Sequence, residues 1–251
     1  VNGRQILETN LPPGHGPWLA LQADQAGTAG VRNLRITGSP TVPERIDLSA
    51  APDLSGWLAG YYGESIGAEG SDWSKRGDEI VGRRSGAYPG SKCESVLIYN
   101  RPMAEDGEVS YEFFYEPGKA ATHPALDRLT FLLEPDGVKV HWMTDDALER
   151  TGLDPGNAAP AEPDDRRGPA SLPLKEKEWN RVVVAIAGDR ATVRLNDVEV
   201  VSRALEPTNQ RTFGLFHYAD EAEARVRNVS HAGRWPRSLP AEVAPKVDAA
   251  P

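Results

Sequence analysis

Short runs of β-branched and aromatic residues, separated by turn-forming residues, constrain the fold of this chain more than any other feature. Apolar residues recur at every second position in Val182, Val184 and Ile186 and again in Ala191, Val193 and Leu195, and Gly188-Asp189 separates the two runs. Alternation with a period of two is typical of a strand that buries one face. A Gly-Asp pair suits a tight turn. These residues therefore predict an antiparallel β-hairpin with one buried face.

The same pattern recurs along much of the chain. We predict further strands in residues 95–99, 109–115, 129–133, 138–142, 212–218 and 224–229. Helix is nearly absent, because only residues 145–150 could form a short helical turn. That turn lies in a polar stretch, 144–171, and so long a loop in a compact domain is either functional or disordered. The sequence predicts an all-β fold, an antiparallel sandwich.

Composition limits the partners of such a domain. The chain has 251 residues with 24 Gly and 21 Pro, which supply many turns, and its net charge is −9. An acidic surface argues against nucleic acid as a partner, because counterion release requires a basic one. The single cysteine, Cys93, excludes an intrachain disulfide. No apolar run reaches the roughly 20 residues of a membrane-spanning helix, so we expect no membrane insertion.

An internal repeat predicts the domain organisation. Three segments recur in the same order at nearly the same spacing: 1–13 on 195–207, 18–21 on 213–216, and 31–34 on 226–229. We interpret residues 1–48 as the last strands of a preceding similar domain, 53–240 as a complete sandwich and 241–251 as a linker or tail. Chance similarity between β-hairpins is the alternative. Arg32 and Arg227 hold the same position in both copies, which predicts a structural role.

Several motifs carry a family resemblance. Trp179-Asn180 opens one strand and Asn196-Asp197 ends the next, which resembles the laminin-G and concanavalin-like pattern. Asp197 stands where that pattern has Gly, a change that should alter only the hairpin turn. Residues 53–57 resemble the opening of the 3-keto-disaccharide hydrolase family.

A closer resemblance is to an uncharacterised bacterial family of lectin-like domains found in large multidomain proteins. It rests on residues 123–134 and 213–220, with Trp-Pro at 235–236 and Leu-Pro at 239–240. The resemblance covers about 53–240 and implies a concanavalin-like jelly roll, export from the cell, and a neighbouring lectin-like domain in the parent chain. This family has no established activity, so the resemblance implies none.

Candidate ligand-binding residues follow from how proteins bind sugars, which stack on aromatic rings and hydrogen-bond to polar groups. They are Tyr61, Tyr62, Trp73 and Tyr218, together with Arg83 and Arg101. The two arginines could hold a ligand carboxylate or sulfate. Core packing is the alternative for each aromatic residue. It is favoured for Trp142, which shares a strand face with Val140.

Candidate acid/base residues are His141, His217, Asp127 and Glu112. His141 is out of phase with its neighbours Val140 and Trp142, so we expect it on the opposite side of its sheet. No strand shows paired carboxylates at glycosidase spacing. No histidines show metal-ligand spacing, so we predict no cofactor or metal site, although loop oxygens could hold a structural calcium ion. A structural role is the alternative for each histidine.

These patterns leave three functions open. The first is a non-catalytic carbohydrate- or protein-binding module of a large exported protein, with its ligand against the concave sheet or the loops 56–77 and 144–171. The second is a glycan-active hydrolase or lyase of the 3-keto-disaccharide hydrolase type. The third is a structural scaffold domain. No motif specifies a reaction, so whether the chain is an enzyme stays open, and we favour binding.

Overall fold

The computed structural model describes residues 5, 7–10, 16–19, 42–62, 73–83, 94–118, 121–143, 158–218 and 223–235. For residues 60–62 and 158–159 the description covers the backbone only. These ranges contain fifteen strands and no helix, so the all-β prediction is confirmed. They contain no helix that could cross a membrane. The helical turn expected at 145–150 lies outside them.

The strands are β1 (Arg45–Asp47), β2 (Trp57–Tyr62), β3 (Trp73–Arg76), β4 (Glu79–Gly82), β5 (Glu94–Tyr99), β6 (Gly107–Tyr115), β7 (His123–Leu126), β8 (Leu129–Glu134), β9 (Gly137–Trp142), β10 (Ala158–Pro160), β11 (Glu178–Ala187), β12 (Arg190–Leu195), β13 (Val198–Ala204), β14 (Phe213–Tyr218) and β15 (Ala224–Gly233).

These strands form two antiparallel sheets that pack face to face as a jelly-roll sandwich. The first sheet has the order β13-β12-β11-β6-β15-β4-β3, and β1 also pairs with β15. The second sheet has the order β10-β9-β8-β7-β14-β5-β2. In both sheets strands far apart in sequence are neighbours, as where β6 pairs with β11 and β15. The sandwich therefore depends on long-range pairing.

The main core lies between the two sheets. In β11, Val182, Val184 and Ile186 are buried in the main core, as the predicted period of two requires. On the opposite face Arg181 and Ala187 are exposed, whereas Val183 is buried. Large side chains that complete this core include Tyr111, Phe113, Phe131, Leu133, Phe213 and Leu215. Burial of such apolar surface is the main stabilising contribution to a sandwich of this kind.

The β12–β13 hairpin turns at Asn196 and Asp197, whose φ angles are +48° and +67°. Two left-handed residues in succession suit the twist of a hairpin, and Asn and Asp adopt this conformation readily. The buried side chain of Asn180 accepts hydrogen bonds from the Lys175 backbone N–H and from Asn196 Nδ2. The Trp-Asn and Asn-Asp motifs thus form one hydrogen-bonded corner.

The segment before the sandwich contributes to its first sheet. β1 pairs with residues 230–232 of β15, beside the pairing of β4 with residues 224–226. Ile46 and Leu48 are buried in the main core, and Trp57 Nε1 donates a hydrogen bond to the Leu48 carbonyl. Residues 45–48 therefore pack as part of this sandwich. The origin of residues 1–48 in a preceding domain copy stays a prediction, since 20–41 lie outside the described ranges.

Candidate functional site

The second sheet is buried on both faces. Its inner face meets the main core, and on the opposite face, here called the outer face, a second cluster of side chains is also buried. The members of this second cluster are Val96, Ala125, Leu132, Met143 and Phe216. Antiparallel sheets commonly leave one face in water. The buried outer face therefore makes this side of the sandwich the first place to look for a functional site.

A buried carboxylate–imidazole pair lies on the outer face. Nε2 of His141 in β9 is 2.6 Å from Oε1 of Glu94 in β5, and both side chains are almost completely buried. Strands β8, β7 and β14 lie between β9 and β5 in the sheet. A flat sheet would hold β9 and β5 about 19 Å apart. The sheet must therefore curve around this face, which makes the outer face concave.

The Glu94 contact leaves the other nitrogen of the His141 ring available. With Nε2 donating to the carboxylate, Nδ1 of a neutral ring carries a bare lone pair. Among the described residues, His141 Nδ1 has no hydrogen-bond partner, and neither does the buried hydroxyl of Thr130. Thr130 and His141 are direct cross-strand partners, so their side chains lie on the same face. The concave face thus holds two neighbouring buried polar groups with unmet hydrogen-bonding capacity.

His123 also lies on this face, but its ring has a structural role. His123 Nδ1 accepts a hydrogen bond of 2.9 Å from the Leu133 backbone N–H. Burial, with a smaller contribution from the nearby His217 and His141, lowers the pKa of His123 to about 3. The ring is therefore neutral at physiological pH and fixes the position of β7 against β8.

Aromatic rings form one wall around His141. The His141 ring lies 5.8 Å from the Phe216 ring and 6.5 Å from the Tyr218 ring, and the rings of Phe216 and Tyr218 are 5.1 Å apart. Phe216 is fully buried, whereas Tyr218 is partly exposed. Leu58, on the edge strand β2, is 62% exposed. This edge of the cluster is therefore its more accessible side.

The four predicted acid/base residues are not brought together. His141 lies on the outer face, as its phase in β9 predicts. His217 lies between the sheets, where its ring is 4.9 Å from the Trp73 ring. Asp127 lies in the β7–β8 turn and accepts a hydrogen bond from the Gln210 N–H. Glu112 lies on the first sheet, paired with Arg227 at 2.7 Å.

The ion pair with Glu112 also explains the position of Arg227. The Arg227 guanidinium donates a hydrogen bond to Glu112 and lies 4.1 Å from the centre of the Trp179 ring. Arg227 thus joins β15, β6 and β11, in line with the structural role expected from the repeat.

The predicted ligand-binding residues are likewise spread over the molecule. Trp73 is 3% exposed, and its Nε1 donates to Ser95 Oγ between the sheets. Arg83 is exposed just after β4, and Tyr218 lies beside His141. Arg101 lies at the far end of the first sheet, where Glu105 holds it through two contacts of 2.7 Å. The side chains of Tyr61 and Tyr62 lie outside the described part.

One expectation about a core residue is wrong. Trp142 is 37% exposed, although it shares the phase of the buried Val140. It is the last residue of β9, where the sheet ends, and the Arg203 guanidinium lies 5.9 Å from its ring. Position at the end of the strand outweighs strand phase here.

Sequence reasoning missed Glu94 and Thr130, the groups that give His141 its environment. Glu94 is an isolated acid next to an apolar run, and nothing nearby in sequence signals its partner. The one signal in the sequence is that Glu94 is a charged residue at the start of an otherwise apolar strand, where a buried charge would need a partner. Within the described ranges no group of three His, Cys, Asp or Glu side chains is placed to hold a metal ion. The suggested calcium ion stays a prediction.

Two family models match parts of the chain. Residues 88–238 match the family described as "Domain of unknown function (DUF1583_N)". The chain belongs to this family. Residues 1–73 match a second family model, "Protein of unknown function (DUF1581)". No curated protein matches the chain.

Several solved structures share part of the architecture. The carbohydrate binding module CBM66 from Bacillus subtilis is 17% identical, with a TM-score of 0.45 over 70% of this chain and 96% of that one. The exoplasmic/lumenal domain of VIP36, in its Ca²⁺/Man3GlcNAc-bound form, is 10% identical, with a TM-score of 0.43 over 76% and 88%. A sialidase is 11% identical, with a TM-score of 0.43 over 74% of this chain and 18% of that one.

Proposed function

We propose that this domain is a non-catalytic carbohydrate-binding module whose ligand occupies the concave outer face of the second sheet. One observation carries the proposal: His141 Nδ1 and Thr130 Oγ1 are buried on paired positions, and no other residue that the structure describes forms a hydrogen bond with either atom. Burying such groups costs free energy unless something binds them. A sugar hydroxyl both donates and accepts a hydrogen bond, so a single hydroxyl could satisfy both groups.

The surrounding residues fit a hydroxylated ligand. Glu94 fixes the orientation of the His141 ring, as a carboxylate commonly does for a functional histidine. Phe216 and Tyr218 supply an aromatic wall for the C–H face of a sugar ring. A buried Glu–His pair contributes little net stability compared with apolar residues of the same size. A role in ligand binding would explain why the pair is present.

The sharpest test replaces Thr130 by valine, which has nearly the same shape and lacks the hydroxyl. If Oγ1 serves a ligand, T130V should leave the free energy of unfolding unchanged or raise it by about 1 kcal/mol, because an unsatisfied buried hydroxyl is removed. Glycan-array and calorimetric binding should weaken about tenfold. Stability is measured by urea denaturation. Loss of more than about 1 kcal/mol of stability would mean that Oγ1 bonds within the protein.

A second variant isolates the imidazole nitrogen. In H141Q the amide nitrogen can replace Nε2 toward Glu94, and nothing replaces Nδ1. We expect the fold to persist and glycan binding to fall about tenfold, the loss of one good hydrogen bond. R83A is the matched control, because Arg83 is exposed and lies outside the concave face. Equal binding by H141Q and R83A would contradict the proposal.

The Glu94–His141 pair also favours a second function, acid/base catalysis on a glycan. A carboxylate that holds one ring nitrogen while the other faces a ligand is the usual arrangement of a histidine general base. This is the hydrolase or lyase alternative. It predicts that the wild-type chain consumes 3-keto-disaccharides or related glycans and that H141Q binds them without turnover. Product formation is followed by chromatography. If the wild type binds the glycan but forms no product, the catalytic alternative is rejected and the non-catalytic module is retained.

The cellular setting is part of the proposal. We place the parent protein outside the cytoplasm, in the periplasm, on the cell surface or outside the cell, beside a neighbouring lectin-like domain. The lectin-like sequence resemblance supports this placement. Fractionation of the producing cell, with detection of the chain by antibody, tests it. A scaffold role would instead predict large interfaces between copies and no glycan binding by the wild type.

A further inference from the structure

A large groove lies away from the concave face. It has a volume of about 1370 Å³ and runs along the outer side of the first sheet at one end of β6, β11 and β15. Its floor consists of small residues: Gly107, Ala185, Ala232 and Gly233. Ligand sites commonly occupy about 300–1,000 Å³. The groove therefore has room for several sugar rings.

Close backbone packing creates this floor. A Cβ on Gly107 would overlap the Ala232 carbonyl oxygen, and a Cβ on Gly233 would come within 2.9 Å of the Trp235 ring. Gly107 therefore has no room for a side chain, and a Cβ at Gly233 would require the Trp235 ring to move. Between Ala185 and Ala232 on the same face lies Glu108, which is the cross-strand partner of both.

The wall is a stack of two indoles and a guanidinium. Arg101 lies 4.0 Å from the centre of the Trp18 ring and 4.5 Å from that of Trp235, and the two rings meet edge to face at 5.0 Å. Glu105 holds the guanidinium from behind. Trp235 Nε1 donates to the Pro43 carbonyl. Arg101, predicted to take a ligand anion, thus has its charge satisfied within the wall.

Two different parts of the chain build this groove. Trp18, Val42 and Glu44 come from the segment matched by the second family model, residues 1–73, whereas the floor, Arg101 and Trp235 come from residues 88–238. Neither part alone makes the groove.

The polar lining of the groove is acidic, and some of its charged side chains form no hydrogen bond or ion pair with other described residues. The lining contains four carboxylates, Glu44, Glu105, Asp106 and Glu108, and two arginines, Arg101 and Arg234. Glu108 is shared by arginines and Asp106 accepts from the Gly188 N–H. The side chains of Glu44 and Arg234 have no hydrogen bond or ion pair with other described residues. Carboxylates accept strong hydrogen bonds from hydroxyl groups and repel anions.

From this combination we infer that the groove is a second binding site, separate from the concave face, for an oligosaccharide without acidic groups. The small residues on either side of Glu108 take the sugar rings, the indole stack forms one side, and Glu44 and Arg234 bond hydroxyl groups at the rim. This inference does not depend on the function proposed for the His141 site.

The test fills the groove without removing any contact. Ala185 is part of the floor on β11, and the exposed Ala187, two residues along the same strand, does not line the groove. A185W should block the groove, and A187W is the matched control. The full chain is titrated with cello-, xylo- and malto-oligosaccharides and with oligogalacturonate, following tryptophan fluorescence because Trp18 and Trp235 line the groove.

We expect wild type and A187W to bind a neutral oligosaccharide and A185W to lose at least tenfold in affinity. T130V separates the two sites, since a groove ligand should bind it as well as it binds wild type. The inference is overturned if no neutral oligosaccharide binds, if A185W binds like A187W, or if oligogalacturonate binds more tightly than every neutral one. Weakened binding in T130V alone would assign the ligand to the concave face.

Discussion

Mild acid should destabilise this sandwich through His123. The ring is buried, and its Nδ1 accepts a hydrogen bond from the Leu133 N–H. Protonation would turn that acceptor into a donor facing another donor, in surroundings that disfavour charge. Unfolding releases the ring into water, where it takes up a proton freely. Lowering the pH from 7 to 5 therefore favours the unfolded chain.

The magnitude follows from the two pKa values. Burial lowers the pKa of His123 from 6.5 to about 3. Stability from this group is complete above the unfolded value and is lost as the pH falls toward the folded one. At pH 5, about 1.5 pH units below the unfolded pKa, the loss is about 2 kcal/mol. His231, whose pKa burial lowers to about 4, adds a similar loss.

The assay is urea denaturation of the full chain at pH 7 and pH 5, because ordinary carboxylates stay largely ionised between these values. H123N is the diagnostic variant. Its amide oxygen can accept from the Leu133 N–H in place of Nδ1, and it does not titrate. Whatever its stability at pH 7, the variant should lose about 2 kcal/mol less than wild type on acidification.

Equal losses in wild type and H123N would refute this reasoning, since the pH dependence would then come from other groups. A variant of His231 gives an internal check. H231N should remove a similar share of the acid sensitivity, and the double variant should remove both shares. The two rings contact different neighbours, so their effects should add.

Three further predictions concern packing and are tested by urea denaturation. G107A should cost about 1–3 kcal/mol, because its Cβ overlaps the Ala232 carbonyl oxygen; unchanged stability would mean that the strands separate there without strain. N180A should cost about 2–4 kcal/mol by leaving the Lys175 N–H and the Asn196 amide without their acceptor, and a neutral result would contradict the hydrogen-bonded corner. F216A should cost about 3–5 kcal/mol, and a cost below about 1 kcal/mol would show that the outer face is not packed.

Much of the fold could be predicted from local sequence. The recurrence of Val182, Val184 and Ile186 at every second position specified a strand with these residues on its core face, and the structure places it in β11. The phase of His141 in its strand specified the face on which it lies. Asn196 and Asp197 specified a turn that needs left-handed backbone. Each of these features depends on neighbours within a few residues, so the sequence carries it directly.

The sites were decided by tertiary structure. Glu94 meets His141 only because three intervening strands curve around one face, and Trp18 meets Trp235 although the two lie near opposite ends of the sequence. Phase predicted which side of a strand a residue occupies. It could not predict which distant strand would be its neighbour. The sequence therefore did not show that His141 lies on the outer face, His217 between the sheets and Glu112 on the first sheet. Strand order and sheet curvature come from the packing of the whole core, and no local period in the sequence encodes them.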